Sequence, residues 1–382
     1  MSQTKIKDAT SVKSRRKFFS TAGAVAVAAP LAGFPMISVA QSPIVLKMQG
    51  GWGATDIFND MAKEYVARVN EMAGGRLRID YLNSGSVVKT FEMMDAVSNG
   101  VLDAGHQVSA YWYGKSKVAS LFGSGPITGA NSSQLLGWMH RGGGLELYNE
   151  LLKNLKLNVH SFFAFPMPPQ PLGWFKSTPP RNAAELKGYK YRTVGLAADL
   201  MQELGMSVTQ LPGGEIMPAM ERGVIDAFEF NNPTSDRAFG AQDVAKNYSM
   251  GSFHQAQEFF EITFNKTKYD SLPKDLQAIL RYAAEAASSS NEWTAQDRYS
   301  RDLQTLIVVD KVRVVKTPQA VFDAQLNAWD KLTAKLASAD PFFKKVVDSQ
   351  LAWAKRVAYY GFLADANYKG AYEHVFKTKL PF

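Results

Sequence analysis

Leu211-Pro-Gly-Gly-Glu215-Ile-Met217-Pro-Ala-Met-Glu-Arg-Gly223-Val-Ile-Asp-Ala227-Phe-Glu229 reads as a short helix, a stopping glycine and an apolar strand in immediate succession. The same order occurs 123 residues earlier in Met94-Asp-Ala-Val-Ser-Asn-Gly100-Val-Leu-Asp-Ala104, where Met, Ala, Gly, Val, Asp and Ala coincide. Helix–Gly–strand junctions resemble one another in any α/β chain, because a left-handed glycine is the ordinary way to end a helix. Six coincidences in eleven positions at one offset go further and suggest two similar lobes facing a cleft.

Working outward from the first copy, Ile44-Val-Leu-Lys-Met48 is a β-rich run, and residues 56–72 carry Ile57, Met61, Tyr65, Val69 and Met72 on one helical face. Gly74-Gly75 stops that helix, residues 77–82 alternate as a strand, residues 91–98 form a second helix, and residues 101–105 a third strand. The order β-α-β-α-β predicts an open α/β domain with crossover helices. Around the second copy, strands are expected at residues 157–163, 172–176, 189–194, 207–211 and 224–229, with helices at 196–204 and 215–221. Beyond Pro273 the chain turns helical, over residues 275–307, 318–336 and 341–375. The last stretch carries Trp353, Tyr359, Tyr360, Phe362, Tyr368 and Tyr372, an aromatic stripe suited to core packing or to a partner chain.

The N-terminus has the form of an export signal. Lys5, Lys7, Lys13, Arg15, Arg16 and Lys17 precede an alanine-rich apolar stretch that ends in Ser38-Val-Ala40, a small-x-small cleavage site. Ser14-Arg-Arg-Lys-Phe-Phe19 adds a twin-arginine pattern. Pro30 and Pro35 interrupt the apolar run, which suits a cleaved signal better than a membrane anchor. Without residues 1–40 the formal charge of +8 falls to +3, so the basic balance belongs mostly to the signal, and no Lys/Arg run suggests nucleic acid. The chain has no cysteine, which excludes thiol catalysis and leaves an exported protein to be held by its core.

Nothing in the sequence marks an enzyme. His106, His140, His160, His254 and His374 stand in no HExxH or paired ligand spacing, and there is no P-loop or GxGxxG. Binding has better material. Arg192 ends the strand at 189–194 just before a helix, at the edge of an α/β sheet where ligands sit, and a guanidinium there can take a carboxylate through two parallel hydrogen bonds. A surface Arg paired with a nearby acid is the plainer reading. Replacing Arg192 with Ala is expected to remove affinity with little change in stability. Glu229 closes the next strand between Phe228 and Phe230, and Gln170 offers a neutral amide in the proline-rich bend Phe165-Pro-Met-Pro-Pro-Gln170-Pro.

The twin-arginine leader, Arg76-Leu-Arg-Ile-Asp-Tyr-Leu82, Gly100-Val-Leu-Asp-Ala-Gly105, Tyr191-Arg-Thr-Val-Gly195 and the 211–230 stretch together resemble one family. It is the substrate-binding proteins of tripartite ATP-independent periplasmic (TRAP) transporters, and the resemblance spans essentially the whole chain after the leader. The nearest branch resembles the 2-oxoacid and lactate binders. That likeness implies an α/β, two-lobed, periplasmic binding protein type II-like fold with a ligand cleft and a long C-terminal helix that swaps between the two chains of a homodimer. It implies a signal over 1–40, lobe 1 over 41–160, lobe 2 over 161–260, and a helical part over 261–382 packing on both lobes and on a partner. It also implies no catalysis, a periplasmic location, a small organic acid as ligand and the transporter's membrane subunits as partners. Arg192 matches the family's carboxylate clamp. Gln170, Glu229 and the backbone of Phe230 match the ligands of a sodium or calcium ion, with Phe230 where Trp is usual. Gln255 stands where that branch places a second metal-binding Glu, so metal dependence is expected to be weak or absent. An ABC-type binding protein and an exported enzyme acting on an organic acid are the other readings of the same features.

Overall fold

The computed structural model describes residues 42–382, and the signal expected over 1–40 lies outside the described residues. Two six-stranded sheets organise the chain. The first contains β1 (Ile44–Gly50), β2 (Leu77–Leu82), β3 (Ala104–Gln107), β4 (Ser124–Gly125) and β5 (Val159–Met167). The chain then builds β6 (Gly173–Phe175), β7 (Lys190–Arg192), β8 (Ser207–Thr209), β9 (Ala227–Phe228) and β10 (Asn247–Met250) in the second. It returns with β11 (Gln257–Asn265) to the first sheet and adds β12 (Arg313–Lys316) to the second. The orders are β2-β1-β3-β11-β4, with β5 also on β11, and β12-β10-β6-β9-β7-β8. As read from the sequence, β1 pairs in parallel with β2 and β3, and β7 pairs in parallel with β8 and β9.

The two copies of the junction fold alike. Gly100 and Gly223 take φ of 78° and 70°, the left-handed conformation that closes a helix. One residue on, the Val101 and Val224 amides each reach back to a helix carbonyl, Ala96 O and Ala219 O, at 2.9 Å. Leu102 and Ile225 then turn into the core, and the amides of Asp103 and Asp226 join the ladder at Lys47 O and Lys190 O. The valines themselves are exposed, so the strands begin three residues later than the apolar run suggested.

The expected boundary at residue 160 falls inside β5, and the one at 260 falls inside β11, which is strand rather than the start of a helical part. All nine β11 residues are buried, so the strand lacks the one-sided alternation by which a surface strand is recognised. Residues 168–172 and 251–256 carry the chain between the sheets. The 35-residue helix Lys274–Val308 packs on β5 and the Ile57–Met72 helix of the first sheet and on the Pro233–Ala238 helix of the second. Two helices not read from the sequence, Ser132–Arg141 and Gly144–Asn154, cover the first sheet. The terminal helix is broken: it runs over Pro341–Ala364, and Asn367, left-handed at φ 54°, caps a separate helix Tyr368–Val375. Among the described residues no helix is long and apolar enough to cross a membrane.

Candidate functional site

The parallel pairing of Arg192 with Phe228 sets Glu229, the next residue, beside the guanidinium. Arg192 Nη1 donates to the Glu229 carbonyl at 2.8 Å and to its carboxylate Oε1 at 2.9 Å, and Nε donates to Leu211 O at 2.9 Å. Nη2 donates to no group among the described residues. Both side chains are 1% exposed. The Phe230 ring lies 5.9 Å from the guanidinium and stacks on Phe239 at 4.5 Å, so an apolar face covers the fork.

Gln170 and Gln255 meet where the two crossing segments run together, the Gln170 backbone N–H donating to the Gln255 backbone carbonyl at 3.1 Å. Sequence reasoning missed their neighbour Glu258, a buried acid near the start of β11, whose Oε2 accepts from Gln170 Nε2 at 2.7 Å. An acid inside the apolar run 257–265 was the available signal, since a buried carboxylate needs a partner. The Oε1 atoms of Gln170 and Gln255 are buried without a hydrogen-bond partner. Such atoms are uncommon, and a cluster of them points to a missing guest. Phe230, which covers the guanidinium, also lines a cavity of about 240 Å³ together with Trp52, Asp56, Gly213, Ser235 and Phe239. Ser235 of the second sheet's helix donates to Asp56, the N-cap of the first sheet's helix, at 3.0 Å, so the cavity is closed by contacts between the two sheets' elements.

Burial dominates the electrostatics. It pushes Glu258 up to about 8, helped by the Glu229 charge and opposed by the Gln170 hydrogen bond and Arg192. It raises Glu229 to about 7 against the pull of Arg192, and Asp56 to about 7. The Arg192–Glu229 pair therefore does not repay what desolvation costs. Glu261, bonded by Trp112 and Tyr148, is also raised to about 7 by burial. Burial lowers His106 and His254 to about 3 and His160 to about 4, so they are neutral in the folded protein, and unfolded histidines lose their protons as pH rises from about 6.5. Between pH 6.5 and 8.5 the folded state holds more protons on the four carboxyls than the unfolded state holds on these three histidines. The sign follows: stability falls as pH rises through that window, by up to about 1.4 kcal/mol per pH unit for each proton retained. Thermal unfolding of the ligand-free protein should show a midpoint that drops from pH 6.5 to 8.5; a flat or rising midpoint would contradict these shifts.

Among the described residues no three His, Cys, Asp or Glu side chains gather as a metal site. The oxygens expected from the sequence are instead mixed: the Glu229 carboxylate, whose Oε1 accepts from Arg192, the Phe230 carbonyl, and the buried, unpartnered amide oxygens of Gln170 and Gln255. Hard cations take such neutral and anionic oxygens together, so the two unpartnered amide oxygens fit a sodium or calcium ion.

Residues 49–340 match the bacterial extracellular solute-binding proteins, family 7. A monocarboxylate 2-oxoacid-binding periplasmic protein of Nostoc is 31% identical over 298 residues, 78% of this chain and 80% of that protein. A TRAP transporter solute-binding protein of Bordetella bronchiseptica, a mixed-occupancy dimer with copurified calcium and picolinate in its active site, superposes with a TM-score of 0.82. It is 27% identical, and the match covers 88% of this chain and 98% of that one. A TRAP periplasmic solute-binding protein of Pseudoalteromonas atlantica, with bound sodium and pyruvate, gives 0.80 at 30% identity over 85% of this chain and 98% of its own. The ABC-type alternative is thereby set aside: this chain belongs to the family 7 extracellular solute-binding proteins, the binding components of TRAP transporters.

Proposed function

We propose that this protein is a periplasmic receptor that captures a small 2-oxoacid or related monocarboxylate, without changing it chemically, and delivers it to the membrane subunits of a TRAP transporter. The observation that carries the reading is Arg192: a buried guanidinium, fixed on Nε and Nη1, with Nη2 unengaged among the described residues. A fixed fork binds a carboxylate with little loss of side-chain entropy. The relatives that bind pyruvate, picolinate or 2-oxoacids support this ligand class. The lobes are the two sheets with their helices, not contiguous segments, and residues 168–172 and 251–256 are the hinge between them. A cation held by Gln170, Glu229, the Phe230 carbonyl and Gln255 would bridge protein and ligand by offsetting their like charges. Phe230 closes over the fork and keeps water from it. The chain acts as a homodimer.

Thermal unfolding in the presence of small carboxylic acids tests the reading. A 2-oxoacid at a hundredfold its Kd adds about 2.7 kcal/mol of native-state stability, a rise of several degrees. No shift with any small carboxylate, or consumption of the acid, would sink it.

A further inference from the structure

Without a cation, burial holds protons on Glu229 and Glu258; a bound cation takes their place. With both acids ionised, Arg192 contributes one positive charge, Glu229 and Glu258 two negative ones, and an incoming carboxylate a third. All three side chains are 2% exposed or less, so water screens none of them. Gln255 is neutral, and judged by that position alone the site has one anionic side chain for a cation. Glu258 changes that count. Its carboxylate lies three residues along the chain, and it is not free to turn elsewhere. The 2.7 Å bond from Gln170 Nε2 fixes it, and its backbone N–H is held by Ser132 Oγ at 3.0 Å.

The same bond orients Gln170. An amide has one donor end and one acceptor end; with Nε2 committed to Glu258, Oε1 is the free end, and it is buried and unpartnered. A carboxylate behind a ligating group is how metal sites fix and strengthen a neutral ligand.

We propose that Glu258 is the positioning residue of a divalent-cation site in this cleft: it turns Oε1 of Gln170 toward the ion and supplies the second negative charge that Gln255 does not. This rests on the carboxylate-receptor reading for the nature of the co-ligand, but not for the cation itself. Two side-chain carboxylates and one bound acid against one guanidinium leave two negative charges, which calcium neutralises and sodium does not. The site therefore prefers calcium.

The test is calorimetric titration of calcium and of sodium into the chelator-treated protein, with and without saturating pyruvate, together with the unfolding midpoint in chelator. Glu258→Gln keeps an acceptor for Gln170 and removes the charge; Glu258→Leu removes both. Calcium is expected to bind wild type more tightly than sodium. Glu258→Gln should lose at least tenfold in calcium affinity and little in sodium affinity, and Glu258→Leu should weaken both, within the 10- to 100-fold range usual for a group behind a metal ligand. Glu258→Asp should recover part of the calcium preference. A merely structural Glu258 would lower the midpoint in chelator and leave the calcium-to-sodium ratio as in wild type, which overturns the proposal. So does a wild type that binds neither ion, even if pyruvate binds. Calcium binding that is lost in Glu258→Gln, with no response to any carboxylate, would uphold the cation site and sink the receptor reading instead.

Discussion

Replacing Arg192 with alanine is expected to abolish measurable binding of the carboxylate and to destabilise the fold at the same time. The loss of affinity follows from truncating one partner of a charge pair in a closed site, about 2–5 kcal/mol, or roughly thirtyfold to several thousandfold. From the sequence alone little change in stability was expected, as for a clamp on an open strand end. The structure shows otherwise: Arg192 is 1% exposed and ties Leu211 O and Glu229 together through three hydrogen bonds. Removing one partner of a buried pair costs about 3–5 kcal/mol when the other keeps its charge. Glu229, already raised to about 7 by burial, can protonate instead, so the loss should fall at the low end of that range near neutral pH. The alanine variant therefore confounds binding with folding, and Arg192→Lys separates them. Lysine keeps the positive charge but offers one point donor where arginine offers a planar fork. The lysine variant should unfold cooperatively within a few degrees of wild type and bind pyruvate at least tenfold more weakly by calorimetry. A folded Arg192→Lys protein with wild-type affinity would remove the guanidinium from the recognition of the ligand.

Wherever local chemistry determined structure, the sequence was readable. The glycine-closed junctions at 94–104 and 217–227 placed two parallel three-strand units, and Arg192 and Glu229 at strand ends came together because adjacent parallel strands end side by side. What could not be read depends on distant segments. β11 is a strand because β3, β4 and β5 pair with it in a buried sheet, and its two acids, Glu258 and Glu261, disguise it as a polar segment. Glu258 meets Gln170 only because residues 168–172 and 251–256 cross between the sheets side by side, a contact over 88 positions of sequence. The resemblance pointed to position 255 for a charge. The fold brings a carboxyl group close by from position 258, which a count made at position 255 alone leaves out. The aromatic stripe divided in a similar way: its first part is core, its second is not.

Cutting the chain before Tyr359 is expected to convert a dimer into a folded monomer. Up to Ala358 the terminal helix is anchored in its own chain. Phe343, Val346 and Val347 are buried, Gln350 Nε2 donates to Leu121 O at 2.6 Å, and Trp353 Nε1 donates to Gln134 O at 2.8 Å. Ser349 accepts from Trp138 Nε1 at 3.1 Å, so a cut there would strip the core and cause aggregation for reasons unrelated to assembly. From Tyr359 onward the character reverses. Tyr359, Tyr360, Phe362, Leu363, Tyr368 and Phe376 are each at least 64% exposed. At roughly 100–150 Å² apiece, these six reach the about 800 Å² per partner of a standard interface. Monomers rarely leave so many large apolar side chains to water at one end of the chain, and a second copy is the partner expected to cover them. A symmetric exchange of this segment covers both copies at once. Sedimentation velocity at micromolar concentration should give a dimer for residues 41–382 and a monomer for residues 41–358. The shorter chain should keep its pyruvate affinity, because Arg192, Gln170 and Glu258 lie in the other part of the chain. An intact chain that sediments as a monomer would leave those aromatic side chains without a partner copy and refute the assembly.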